Sequence, residues 1–169
     1  MTEMQALEAW LQHRERNGDQ VQERPEPTVS YLVVQREERY LAIPFANVRR
    51  VTRLETFSPL PGAVPLLPGA TNIEGHVVAV MDLAPLLGEE VLTPRPGLFL
   101  VLVADQNVEV GLLVTRAVDV HDVPYSALKT DGVPAYVQAF YGWPLQSPTY
   151  VVHVLDVVQV VEAALHAYD

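Results

Sequence analysis

Five histidines, His13, His76, His121, His153 and His166, are the first residues in this chain to weigh for acid–base or metal chemistry. No two of them have ligand spacing on a helical stretch. The set with the most ligand character is His121 with its neighbour Asp122, joined by His153 from a later strand. Such a set would serve a small-ligand or metal-sensing module. Two carboxylates, Asp82 and Asp156, each close a valine-rich run, and a carboxylate pair can do acid–base work. Their repeated placement after a strand favours a structural role instead, accepting the N–H groups of the turn that follows. Gly-x-Ser-x-Gly, a Gly-rich phosphate loop and His-Glu-x-x-His are all absent. With no cysteine there is no disulfide, thiolate metal site or cysteine nucleophile. The expectation is a protein that is not an enzyme and carries no cofactor; a hydrolase with an unrecognised motif is the weakest alternative.

The elements that would position these residues are mainly strands. Apolar residues make up 49% of the 169 residues and valine supplies 28 of them, a composition that favours β-structure and excludes general disorder. Strands are expected at Val29–Gln35, Tyr40–Phe45, His76–Leu83, Leu98–Ala104, Val108–Val114 and Thr149–Asp156. Ala84–Leu87 reads as a helical turn stopped by Gly88. The stretch holding Pro59, Pro61, Pro65 and Pro68 reads as a loop or a broken connection, since proline removes ladder donors. Residues 1–18 form an amphipathic helix, with Thr2 as cap, Met4, Leu7, Trp10 and Leu11 on one face and Asn17-Gly18 as the stop. Trp10 and Leu11 either pack on the protein's own surface or dock a partner. Residues 19–28 are a linker, and a C-terminal helix follows Asp156.

The chain carries a net charge of −10, with −6 of it in residues 96–169. This balance disfavours nucleic acid and anionic membranes as partners. No apolar window is long enough to span a bilayer, and the polar N-terminus is unlike a signal peptide, so a cytoplasmic protein without membrane insertion is expected.

The chain also repeats. Val77–Leu83 echoes Val151–Val157 at an offset of 74, and Leu32, Val34, Val48 and Val51 map onto Val101, Val103, Ala117 and Val120 at an offset of 69. Each copy of about 65 residues suits a small closed barrel, because closure removes exposed edges. Two barrels sharing an apolar seam would explain valine runs without alternation.

The run Gly69-Ala70-Thr71-Asn72-Ile73-Glu74-Gly75, followed by a valine strand, Asp82-Leu83 and Leu86-Leu87-Gly88, resembles the CheW-like chemotaxis coupling proteins. Their pattern is a proline loop, Gly-x-x-Asn-Leu-Arg-Gly, an aliphatic strand and Asp-Leu. Gly111-Leu112-Leu113-Val114 with Val118 resembles the family's second hairpin, and the likeness extends over residues 29–162. It implies a mainly β fold of two SH3-like five-stranded barrels within residues 29–165, with the two terminal helices added. It also implies a non-catalytic adaptor that couples the cytoplasmic tips of chemoreceptors to the regulatory domain of a CheA-type histidine kinase, in membrane-associated arrays. The receptor tip would lie in an apolar groove between the barrels, lined by Phe45 and Val48, with Gly69, Asn72 and Gly75 shaping the adjacent turn.

Two departures bear on the partner. The family usually has Glu at the place of Arg50 and Arg at the place of Glu74. The exchanged signs suggest the same ion pair reversed, placing Arg50 and Glu74 among the receptor-binding residues. Thr115-Arg116 replaces a frequent acidic position. Together they point to a divergent system, serving type IV pili or surface motility rather than flagella.

Overall fold

A computed structural model describes residues 3–16 and 25–168, with side chains for all of these except residues 10–16. The helix expected at the N-terminus is present as α1 (Glu3–Arg16), where Met4 and Leu7 are exposed. The expectations for Thr2, for the Asn17-Gly18 stop and for most of the linker lie outside the described residues, as do those for the Trp10 and Leu11 side chains.

Eleven strands follow from Thr28 onward. The first half contributes β1 (Thr28–Arg36), β2 (Arg39–Pro44), β3 (Val48–Arg53), β4 (Ser58–Val64), β5 (Leu67–Ile73) and β6 (His76–Met81). The second contributes β7 (Phe99–Asp105), β8 (Val108–Val114), β9 (Arg116–Pro124), β10 (Val137–Trp143) and β11 (Tyr150–Leu155). A single turn, α2 (Ala84–Leu87), follows β6, and α3 (Val157–Leu165) follows β11.

The proline stretch forms two strands, β4 and β5, joined by a turn at Pro65-Leu66, rather than a loop. β4, with Pro59 and Pro61, is tolerated because it pairs only with β5 and is bulged between Pro59 and Val64. Within residues 121–148, whose sequence is mixed and hard to read, lie the end of β9 and all of β10.

Two sheets form, with strand orders β10-β11-β2-β1-β9 and β3-β7-β8-β6-β5-β4. Each closes through its own chain. After β9, Lys129 exchanges two backbone hydrogen bonds with Phe140 of β10, at 2.9 and 2.8 Å. After β3, the chain runs through residues 54–57 into β4, which pairs with β5.

The halves do not fold as one barrel each. Each sheet takes the leading hairpin of one half and the later strands of the other. The register makes this plain: Leu32 faces Val120 while Val51 faces Val101, and Val34 faces Ala117 while Val48 faces Val103. These are the residues related by the 69-residue offset, so the copies are interlocked by a pseudo-two-fold exchange. The parallel pairs obey it too, with Ala42 facing Val154 and Gly111 facing Val80.

Alternation along β1 and β7 serves two cores at once. Tyr31, Val33, Tyr141, Val152 and Val154 fill the interior of the first sheet. Val78, Val80, Leu98, Leu100 and Leu113 fill the second. The opposite faces, with Leu32, Val34, Ile43, Met81, Val101 and Leu112, meet in a seam completed by Val157, Val160 and Val161 of α3. Asp156 starts that helix by accepting from the Gln159 N–H.

Candidate partner-binding surface

The tight turn between β5 and β6 is built from Glu74 (φ +51°) and Gly75 (φ +86°), flanked by the paired Ile73 and His76. Two left-handed residues match the twist of a hairpin, which is why glycine stands at the second position. Asn72 steadies the turn, its Oδ1 accepting from the Gly75 N–H at 2.9 Å. Across the mouth of the same sheet, Arg50 of β3 donates from Nη2 to Glu74 Oε1 at 2.9 Å. The expected reversed pair is therefore present. The hydrogen bond and charge of Arg50 hold the Glu74 carboxyl below its usual range, and Glu74 raises Arg50 in turn. Beneath them, Arg49, Ile73, His76, Val78, Leu102 and Glu109 help to line a shallow cavity of about 240 Å³.

Phe45 is half exposed in the 3-10 turn Phe45–Asn47, which carries the chain from the first sheet to the second. Val48, next to it, is half-buried against the seam. Behind Val48 the seam is a core of packed side chains. Apolar surface is also offered on the strands: Val77 is 77% exposed and Val51 38%. Sequence reasoning missed both valines. The only available signal was Val77 facing the polar Asn72 across the hairpin.

Gly69 belongs to a different environment. It is buried in β5, and a Cβ there would sit 2.3 Å from the Ser58 carbonyl oxygen and 2.6 Å from the Phe57 ring. Its glycine lets β4 cross closely, and it offers no surface to a partner.

The alternative ligand set is dispersed by strand alternation. His121 is buried, its Nδ1 within 2.9 Å of the Tyr141 hydroxyl and its ring stacked on Trp143. Asp122 is exposed and accepts from the Ser30 hydroxyl. His153 lies beside Arg39 and Glu89. Burial lowers both imidazole pKa values; Asp119 partly offsets this at His121, and Arg39 adds to it at His153. Among the described residues no three His, Asp or Glu side chains are placed to hold a metal ion.

Asp82 and Asp156 also stay apart in function. Asp82 Oδ1 accepts from the Ala84 N–H and Oδ2 from the Leu92 N–H. It further binds Arg36, fully buried with it, at 2.7 Å. Arg36 reaches on to Glu89, which also holds Arg39.

A family model described as the CheW-like domain matches residues 30–165. The chain belongs to the CheW-like family. No curated protein matches it. Among solved structures it is similar to the scaffolding protein TtCheW from Thermoanaerobacter tengcongensis, with a TM-score of 0.66 at 14% identity, covering 76% of this chain and 89% of that one. At that identity the likeness bears on the fold, and it agrees with the two-sheet architecture. Among the described residues of this CheW-like chain, no helix is long and apolar enough to cross a membrane.

Proposed function

We propose that this CheW-like protein is a non-catalytic adaptor that couples chemoreceptor cytoplasmic tips to a CheA-type histidine kinase. The receptor contact is assigned to Phe45, Val48, Arg50, Asn72, Glu74 and Gly75, extended to Val51 and Val77. The observation that carries this reading is the exposed Arg50–Glu74 pair, with solvent-facing valines on the strands that bear it and follow it, Val51 on β3 and Val77 on β6. Exposed apolar side chains supply contact area, and an ion pair at their margin sets orientation and partner choice. The reversed polarity of the pair favours a divergent receptor, in keeping with a pilus or surface-motility array in the cytoplasm.

The test is direct. Val77→Asp is the variant of choice, because Val77 packs little and its replacement leaves the fold intact, whereas Val48 supports the seam. Binding of a receptor cytoplasmic fragment from the same organism, measured by calorimetry, is expected to weaken about tenfold or more. Undiminished binding by a folded variant would remove this surface from the function.

A further inference from the structure

A second surface lies at the other end of β6. Six residues at roughly 3.3 Å each separate the Glu74-Gly75 turn from Asp82, so the two surfaces are on the order of 20 Å apart. Here an open groove of about 1040 Å³ runs between the β1–β2 turn, the loop after α2 and the start of β11. Its walls include the stacked rings of Tyr40 and Tyr150, with centroids 4.2 Å apart, and the exposed Val91 and Val151.

The pseudo-two-fold explains why this groove is open. In the second half, α3 packs on β7 and β8, the counterparts of β1 and β2. By the 74-residue offset, the end of α3 at residues 162–165 corresponds to residues 88–91. In the first half the helix instead stops at Leu87, because Gly88 turns the chain with a φ of +68°. The first half therefore lacks the helical turns that cover the second.

The charge states what would fill it. The two arginines on the groove, Arg36 and Arg39, are engaged by Asp82 and Glu89. Glu37, Glu38 and Glu90 on the rim are exposed and have no cationic partner among the described residues. We propose that this groove docks a cationic amphipathic helix of a partner protein, its aliphatic face on Tyr40, Tyr150, Val91 and Val151 and its lysines or arginines on Glu37, Glu38 and Glu90. The acidic rim and the chain's net charge of −10 attract such a segment and repel an acidic one. The proposal stands independently of what the Arg50–Glu74 surface contacts.

The experiment uses the full chain and three probes: a fluorescein-labelled 18-residue amphipathic helix of Leu, Ala and Lys, the same peptide with Glu for Lys, and spermine. Fluorescence anisotropy is expected to show binding of the Lys peptide only, weakened about tenfold or more in Glu38→Lys/Glu90→Lys. Amide shift changes are expected at Tyr40, Val91 and Tyr150. Asp131→Lys, an exposed charge reversal off the groove, is expected to leave binding unchanged, and circular dichroism checks each fold. Four results overturn the proposal: no binding of the Lys peptide, an equal loss in Asp131→Lys, displacement of the peptide by equimolar spermine, or a concentration-dependent dimer in sedimentation that Glu38→Lys/Glu90→Lys abolishes. The last would make a second copy the occupant.

Discussion

Arg50 and Glu74 are both open to solvent, so their bond adds little to folding, and in the proposed function its consequence lies in recognition. Arg50→Glu sets two carboxylates against each other and is expected to weaken receptor-fragment binding about tenfold with unchanged thermal stability. Arg50→Glu/Glu74→Arg restores a pair but inverts what the partner meets; it is expected to bind the native receptor as poorly as the single variant, a comparison calorimetry makes directly. The histidines act in the opposite manner, through the interior. Burial lowers both His121 and His153 below 6.5, so the folded protein keeps them neutral while the unfolded chain takes up protons. Stability from this source is complete above pH 6.5 and is lost as pH falls below it toward the folded-state values. Urea midpoints should therefore decline below pH 6.5, and His121→Gln/His153→Gln should flatten the decline. Glu74, whose carboxyl is lowered, begins to contribute a loss only below its ordinary 4.5, which separates the two windows.

At the scale of elements, two glycines of one motif have different reasons to be glycine. Gly69 lies where a Cβ would strike the Ser58 carbonyl and the Phe57 ring, so Gly69→Ala should cost about 1–3 kcal/mol through overpacking. Gly75 has open space around it but a φ of +86°, so Gly75→Ala should cost about 1 kcal/mol through the backbone. Denaturant titration of both variants measures the two costs. The motif made both glycines visible in the sequence, but not this division, because it depends on where β4 crosses. The Arg36–Asp82–Glu89–Arg39 network was likewise illegible, its members being scattered over more than fifty residues. It ties the end of β1 in one sheet to the end of β6 in the other. Arg36→Met leaves Asp82 charged and buried and should destabilise by about 3–5 kcal/mol, whereas Arg36→Met/Asp82→Leu should recover much of that loss.

At the scale of the molecule, strand exchange makes the halves interdependent. Each sheet needs strands from both, so residues 1–95 or 96–169 alone cannot complete either core. Each fragment is expected to lack cooperative unfolding in calorimetry, and mixing them should restore one transition. The two surfaces proposed for partners lie toward opposite ends of β6 and share no residue. If both proposals hold, one chain has room for two partners at once, the property an adaptor requires.

The sequence by itself determined the strands with strong valine periodicity, the Asp156 helix start, the repeat and the CheW-like motifs. These depend on near neighbours and on spacing, which a linear reading sees. Only the tertiary structure decided that the repeats exchange strands, that a proline-rich run forms strands at a sheet edge and that Val77 faces solvent. Those outcomes depend on which distant segments meet, and a 69-residue offset is equally consistent with two separate barrels and with two interlocked ones. The interlocked arrangement is observed because it buries both faces of β1 and β7.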